Sequence, residues 1–486
     1  MKTRLLLFRN ALLIAIFCVA SATTAFAQEP QSATPPADTD QAGDNDEDVR
    51  YNQYGVKVNF FKLDATAQNR ILVIENKEKG YKFWMDNRIQ VDAATYFGIP
   101  QDYTQMAGGV SLRRVRMAVK AQIKDHWYGE IDLNFSNGVF ELEDAIIHYE
   151  TNGFELAVGN FKEDFSMEET TTSRYTTFME RAMVVSAFAP GRHIGLAARY
   201  HYKWFRASAG ISGQLVDNAD TRFNVEEYNK SGKGIGANYT GKVVFMPWES
   251  KPDYGLHIGY NVSYRSPKKV DDNVSSGSAA PRGYGGNYFS TRNATAINRT
   301  KYISAEYYGV KYDMLHGFEL AGYYKGWRAN GEYILNDSYM DANSDILNVN
   351  ANTKHFSGFY VQTSYLLFGG KQRYDSSQSE FTQPSRGKKW GDIELMFRYD
   401  YLNLNSEDVE GGSGQNYTAG IVYHINNNVK FLINYQYSQN DKYANNKGKA
   451  IIGRKADGTP TSNPKDAVSD FGARFHALQC RIELDF

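Results

Sequence analysis

Apolar and polar residues alternate with a period of two through most of residues 81–486. In the segment 114–123, Val119 lies on an apolar face, while Arg116 and Lys120 lie on the opposite, polar face. Successive side chains of a β-strand point to opposite sides of the sheet. The pattern therefore predicts strands with one apolar and one polar face.

Sixteen segments follow this pattern, and each is long enough to form a strand. Together they predict an all-β fold. Their predicted spans are 81–94, 111–123, 128–135, 142–150, 154–161, 193–200, 204–213, 239–246, 254–265, 314–324, 327–337, 355–367, 391–403, 415–425, 429–438 and 471–486.

The connections between these segments alternate between short and long. Short turns such as 124–126 and 151–153 follow the even-numbered segments, and longer loops such as 162–192 follow most odd-numbered ones. The connection 369–390 is an exception, because it is long and lies on the short-turn side. An even strand number with one rim of short turns is typical of a bacterial outer-membrane barrel. We therefore predict a 16-stranded antiparallel transmembrane β-barrel.

A soluble β-sandwich or an exported adhesin is the alternative, because alternation alone also fits these folds. Two features favour the barrel. The polar face carries many charges, such as Arg114, Glu130 and Arg398, which a packed core would not accommodate. The chain also ends in a strand whose apolar residues alternate up to Phe486, as in the last strand of outer-membrane barrels.

The N-terminal part differs in composition from the barrel. Residues 1–27 have a basic start, a short apolar core and a small-residue cleavage site, which together predict a secretory signal peptide. Residues 28–50 are rich in proline and acidic residues and predict a disordered tether. Residues 51–80 form an N-terminal extension of unassigned role, and residues 81–486 form the predicted barrel.

The composition limits the classes of function. The 486 residues include 54 basic and 55 acidic ones, which give a net charge of −1 and argue against a nucleic-acid partner. No later segment reaches the 18 apolar residues of a membrane-spanning helix. After signal-peptide removal the chain would keep one cysteine, Cys480, so an internal disulfide is excluded.

The sequence offers little catalytic chemistry. Its nine histidines show no metal-binding spacing, and no nucleophile or phosphate-loop motif is present. We therefore expect no enzymatic activity, catalytic residue, cofactor or metal, and an enzyme built on a barrel is the weakest alternative. The segment from Asp341 to Asn352 begins like a calcium loop, but Ile346 replaces the required glycine, which favours an ordinary polar loop.

The most informative connection is the third loop, residues 162–192. It carries many apolar residues, including Phe178 and Met183, that a solvated loop would not expose. We therefore expect the loop to fold into the lumen, to narrow the channel, and to place Arg174 and Arg181 near the route of anything that passes through it. Capping of the outer rim or packing at a subunit contact is the alternative.

Several motifs in and around this loop stand out from the alternating pattern. They are Arg113-Arg114-Val115-Arg116, Phe140 to Tyr149, Gly159-Asn160-Phe161-Lys162-Glu163, Phe165-Ser166 with Glu168, Ser173-Arg174-Tyr175, Phe178-Met179-Glu180-Arg181, and Ala187-Phe188-Ala189-Pro190-Gly191-Arg192 with Gly195. Together they resemble the phosphate-selective porin O and P family. The resemblance covers about residues 81–486, and Asp164 departs from it where the family favours proline.

The resemblance implies a 16-stranded homotrimeric porin of the bacterial outer membrane, whose third loop is the constriction. It also implies passive diffusion of small hydrophilic solutes, anionic and phosphate-like ones in particular. A barrel with a closed lumen and a structural or adhesive role is the alternative. The partners expected from this reading are outer-membrane lipid, two further copies of the chain and the solutes.

Positive charges on the inward face and on the third loop are the candidate pore residues. The inward face as a whole is mixed in charge, with basic residues concentrated on predicted strands two, six and seven, and acidic ones on strands three, four and thirteen. Rings of charged side chains of one sign set ionic selectivity in channels. A lumen with charges of both signs therefore predicts weak selectivity. The candidates for the pore and its constriction are Arg114, Arg116, Lys120, Lys162, Arg174, Arg181 and Arg192.

Overall fold

The computed structural model describes residues 50–51, 57–58, 64–68, 71–138, 140–213, 236–248, 251–266, 268–269, 285–341 and 350–486. The predicted signal peptide, the tether up to residue 49, and residues 342–349 of the calcium-like segment lie outside these residues. Contacts divide the chain into residues 1–61 and residues 62–486. In the first unit, strands Arg50–Tyr51 and Lys57–Val58 form a two-stranded pair.

Within the described part of the second unit, sixteen long strands form one closed barrel, which confirms the predicted fold class. Each predicted strand corresponds to one of them. The strands are β1 Tyr81–Phe97, β2 Gly109–Ile123, β3 Trp127–Asn134, β4 Glu141–Thr151, β5 Phe154–Lys162, β6 Arg192–Tyr202, β7 Phe205–Ser212, β8 Asn238–Phe245, β9 Tyr254–Arg265, β10 Ile303–Tyr324, β11 Trp327–Met340, β12 Lys354–Leu366, β13 Asp392–Ser406, β14 Val409–His424, β15 Val429–Asp441 and β16 Phe471–Asp485.

The barrel closes because its last strand pairs with its first. β16 runs antiparallel to β1, and the register extends from His476 opposite Phe97 to Asp485 opposite Arg88. All other neighbouring barrel strands are also antiparallel and consecutive in sequence. Closure removes exposed sheet edges, whose unpaired backbone groups would be costly in lipid.

Smaller elements lie before the first barrel strand and between the barrel strands. The third loop contains two short helices, α1 Met167–Thr170 and α2 Met183–Phe188. A 3-10 turn spans Ser136–Gly138. Short strands are found at Asp64–Gln68, Ile71–Asn76, Lys268–Lys269, Gly285–Thr291, Arg373–Asp375, Glu380–Thr382, Gly453–Arg454 and Pro460–Thr461.

Most strand boundaries shift by a few residues from the predicted spans, and two larger differences have a physical reason. β10 begins at Ile303 instead of residue 314, because its first residues pair with the strand Gly285–Thr291. In the N-terminal extension, Asp64–Gln68 and Ile71–Asn76 form a hairpin that pairs with the start of β1. The extension therefore continues the sheet at the rim of short turns, which we call the short-turn rim.

The two faces of the wall differ as the alternation predicts. Outward residues are large, apolar and exposed, including Ile131 at 51% and Ile147 at 59% exposure. Many inward charged residues are almost fully covered, including Lys242 at 2% and Arg398 at 1%. Among the described residues, no helix is long and apolar enough to span a membrane.

The register of β2 gives a test of the wall assignment. Val119 lies opposite Met85 and Ile131 on the outward face, whereas Lys120 bridges inward to Asp86 and Glu130. Val119→Arg should cost about 2–4 kcal/mol of folding free energy at the bilayer midplane. Lys120→Gln should be much better tolerated. Unfolding in lipid vesicles measures both, and equal costs would contradict the register.

Candidate functional site

The third loop is bonded to inward-facing side chains on distant strands. The Arg398 guanidinium on β13 donates to the carbonyl of Glu180 at 2.9 Å. On β11, the Glu332 carboxylate accepts from the backbone N–H of Glu168 at 2.8 Å. Arg481 on β16 donates to the carbonyl of Met179 at 2.8 Å. The loop is therefore held against the lumenal face of β11–β16.

Apolar contacts fix the second half of the loop. In α2, Met183 and Val184 are fully buried. They belong to an apolar cluster with the inward residues Leu315, Ile334, Phe356 and Leu402. The backbone of β12 comes so close that a Cβ at Gly358 would lie 2.9 Å from Val184. This approach requires the absence of a side chain, so α2 sits in a recess of the wall.

A second apolar cluster fixes the middle of the loop. Phe178 and Met179 are 1% and 2% exposed, and they contact the inward residues Met396, Val422 and Leu432. The guanidinium carbon of Arg398 also lies 4.5 Å from the centre of the Phe178 ring. A cation over an aromatic face is attracted by the ring quadrupole. The loop is thus anchored by both burial and charge.

Glu180 connects the loop to β2 and β16, which flank β1 where the barrel closes. Its carboxylate accepts two bonds from Arg113 at 2.7 and 2.9 Å, and one from Arg481 at 3.0 Å. Burial raises the pKa of Glu180, but Arg113 and Arg481 outweigh this effect and hold it well below its usual value. Glu180 therefore stays ionised and neutralises part of the basic charge beside it.

Two cavities lie on either side of the loop, next to the wall formed by β1–β6. The upper cavity, of about 250 Å³, lies toward the long-loop rim and is lined by Arg113, Arg114, Arg181, Glu169 and Glu180, among others. The lower cavity, of about 560 Å³, lies toward the short-turn rim. Ser173 lines both cavities, so they approach each other at the third loop.

Six of the seven predicted pore cations are engaged by carboxylates. Most of these partners lie on β1, β3, β4 or the third loop itself. The pairs are Arg116 with Asp132 and Glu143, Lys120 with Asp86 and Glu130, Lys162 and Arg181 with Glu169, Arg174 with Asp86 and Asp485, and Arg192 with Glu143 and Asp144.

Arg114 is different from the other six. It is 8% exposed, and its guanidinium donates to the Gln90 side-chain carbonyl at 2.8 Å. Among the described residues it forms no ion pair. It lines the upper cavity next to Arg113 and Arg181. A buried cation without a carboxylate partner retains most of its attraction for an anion.

Arg113 belongs to this site, although strict alternation predicts that it faces outward. The register shows why, because Gln90 pairs with Arg114 and Val91 pairs with Leu112. Arg113 is the extra residue of a β-bulge, and its guanidinium reaches Glu180. Bulges re-aim side chains in this way. In the sequence, the only indication of this bulge was a pair of consecutive arginines, Arg113 and Arg114, in an otherwise alternating strand.

Three carboxylates come together in the lower cavity, as the segregation of acids on strands three and four suggested. Side-chain ligand atoms of Glu130, Asp132 and Asp144 lie within 4.8 Å of one another. Each also faces a cation, namely Lys120, Arg116 and Arg192, respectively. Protein cations therefore already balance this cluster.

The family model described as phosphate-selective porin O and P matches residues 83–457, most of the barrel. The chain belongs to this family. This confirms the resemblance found in the sequence, and it makes the chain a porin of the bacterial outer membrane. The short-turn rim is accordingly periplasmic and the long-loop rim extracellular.

Two relatives align with much of this porin. An uncharacterized protein of Caulobacter vibrioides is 25% identical over 330 residues, which cover 67% of this chain and 62% of that protein. Porin O of Pseudomonas aeruginosa is 24% identical over 408 residues, which cover 78% of this chain and 87% of the relative. The match thus spans less than two thirds of the Caulobacter protein.

Two solved structures resemble this chain. The anion-selective porin from Comamonas acidovorans is 9% identical, with a TM-score of 0.46 over 84% of this chain and 100% of that one. OprB of Pseudomonas putida is 13% identical, with a TM-score of 0.47 over 84% and 95% of the respective chains.

The apolar anchor at Phe178 predicts a change in the porin's conductance. Truncating a buried phenylalanine to alanine costs about 3–5 kcal/mol in protein interiors. Phe178→Ala should therefore loosen the third loop and raise the single-channel conductance or its open-channel noise. Phe140→Ala is the control, because Phe140 is 62% exposed. Identical conductance traces for wild type and Phe178→Ala would show that this contact does not hold the loop.

Proposed function

We propose that the porin is a passive channel for small hydrophilic anions, phosphate-like ones among them. The path runs along the wall of β1–β6, and the third loop narrows it. The family description supports the solute class. Within this chain, the proposal rests on Arg114, a buried arginine that pairs with no carboxylate among the described residues.

The arrangement of the cavities supports a path on one side of the barrel. The third loop covers the inner face of β11–β15, where Ile334, Leu402 and Tyr360 are fully buried. The open volumes instead border Arg88, Arg114 and Arg116 on the opposite wall. A solute entering from the extracellular side meets the upper cavity first and then the lower one.

The charge of the two cavities differs. The upper cavity is lined by three arginines, Arg113, Arg114 and Arg181, and by two carboxylates, Glu169 and Glu180. The lower cavity carries as many carboxylates as cations, and most of them are paired. Paired charges on a wall act on a passing ion mainly as dipoles, whose field falls off quickly with distance. An unpaired cation carries a net charge, and its attraction for an anion extends further. Anion preference is therefore assigned to the upper cavity.

Arg114 is suited to contact the solute directly. Its guanidinium presents several N–H donors in a fixed plane, which matches the oxygens of phosphate or carboxylate. Partial burial lowers the effective dielectric and strengthens the interaction. The contact must stay weak enough for release, and hydrogen bonding of Arg114 to Gln90 leaves only part of the guanidinium for the solute.

We further propose that the porin acts as a homotrimer, as the family resemblance implies. The outward apolar band would then contact either lipid or a neighbouring copy. No enzymatic activity is proposed. The alternative of a structural or adhesive barrel with a closed lumen predicts no ion current at all.

Currents in planar bilayers test this function. In a salt gradient, the wild-type protein should give discrete channels with a reversal potential of the anion-selective sign. Arg114→Gln should reduce the anion-to-cation permeability ratio several-fold, because it removes the unpaired positive charge. Arg114→Lys keeps the charge and is the matched control, which should retain most of the preference.

Two outcomes would contradict the proposal. Absence of channels from correctly folded protein would favour the closed barrel. An unchanged reversal potential in Arg114→Gln would remove Arg114 from the selectivity mechanism.

A further inference from the structure

The long connection between β12 and β13 turns back into the barrel from the periplasmic rim. Its strands Arg373–Asp375 and Glu380–Thr382 pair with each other, and we call residues 371–386 the lumenal hairpin. The carbonyl of Ser377 at its tip accepts a hydrogen bond from the Arg206 guanidinium on β7 at 3.0 Å. The hairpin thus reaches from β12 to a wall strand five positions away.

Several contacts hold the lumenal hairpin in place. The Tyr374 hydroxyl and the His257 ring on β9 are 2.5 Å apart. Phe381 is 3% exposed and clusters with Met167 of α1. At the base, the Arg386 guanidinium donates to the side chain of Asn427 at 2.9 Å. The hairpin is therefore a fixed part of the lumen that meets the third loop from below.

Glu380 is the charged residue that this hairpin presents to the lower cavity. Among the described residues its carboxylate forms no ion pair and no side-chain hydrogen bond. Most other carboxylates that line this cavity are paired with cations, namely Asp86, Glu130, Asp132, Asp144, Glu155 and Asp164. Glu150 is also unpaired, but it is exposed at the rim.

The charged groups that act on Glu380 come from the barrel wall and from the hairpin itself. Lys162 on β5, Arg206 on β7 and Lys242 on β8 are the nearby cations, and Asp375 is the nearby acid on the hairpin. These three cations already face Glu169, Asp164 and Glu319, respectively. The same cavity is also lined by Arg199, Glu155 and His148. An ionised Glu380 would therefore add negative charge that no neighbour is free to balance.

Burial sets the protonation of Glu380. It raises the pKa of this carboxyl to about 8, and the charge of Asp375 acts in the same direction while Lys162 opposes it. The group is therefore mainly neutral below this value and mainly negative above it. A negative charge at this point lies on the periplasmic side of the anion path.

We propose that Glu380 is a specificity-determining residue whose ionisation lowers the anion preference of the channel as the pH rises. The inference rests on the proposed anion path, because it adds a second charge-selective position to that path. When Glu380 is neutral, the charges at the periplasmic exit are those of the wall, and most of these are paired. The ionised form repels anions and favours cations at the exit.

Reversal potentials at about pH 6 and about pH 9 test this proposal. In the wild type, the anion-to-cation permeability ratio should fall several-fold between the two values. Glu380→Gln should keep the ratio of the lower pH at both. Glu150→Gln is the matched control and should follow the wild type. The difference between Glu380→Gln and the other two proteins isolates the contribution of Glu380.

A second variant covers the case in which Glu380→Gln does not assemble. Glu380→Cys in a Cys480→Ser background can be modified with a negatively or a positively charged thiol reagent. The negative adduct should lower the anion preference at about pH 6, and the positive adduct should raise it. Equal reversal potentials for the two adducts would overturn the proposal.

The outcomes separate this inference from the proposed function. No anion preference at about pH 6 would contradict the proposed anion channel itself. Anion preference that does not change with pH, or that changes equally in wild type and Glu380→Gln, would overturn only the role of Glu380.

Discussion

The arrangement of the lumen depends on one interaction, the burial of the third loop's apolar side chains on an apolar part of the inner wall. Phe178, Met183 and Val184 lose almost all contact with water there. Each such burial is worth about 1.5–3 kcal/mol relative to exposure. No disulfide is available to hold the loop, so this burial must do so. The position of the buried loop determines which side of the barrel stays open.

The charge distribution follows from that position. Because the loop fills the space beside β11–β15, its charged edge faces β1–β6, where it pairs with the wall through Arg174 with Asp86 and Glu180 with Arg113. Nearly every cation on the open side finds a carboxylate. We propose that selectivity depends on charged groups left without an oppositely charged partner, Arg114 above the loop and Glu380 below it, and not on the total charge of the lumen.

Alternation alone predicted the sixteen strands and the direction of nearly all wall charges, because lipid on one side and water on the other impose a strict period of two. It failed where that period is locally broken. The bulge at Arg113 changes the register by one residue. Inward apolar residues such as Ile334 and Met396 interrupt the polar face, and they mark the docking surface of the loop. Pairing between charges distant in sequence, as for Arg481 and Glu180, depends on closure of the barrel and leaves no local signal.

Thiol accessibility of the two inner walls tests the off-centre path most directly. Ile146 on β4 lines the lower cavity on the open side and is only partly buried, whereas Ala321 is 2% exposed within the cluster that contains Met167 and Phe381. In a Cys480→Ser background, a membrane-impermeant thiol reagent should reduce the current through Ile146→Cys channels and leave Ala321→Cys channels unaffected. Block of Ala321→Cys channels with no effect on Ile146→Cys would place the path on the other side of the third loop and contradict this account.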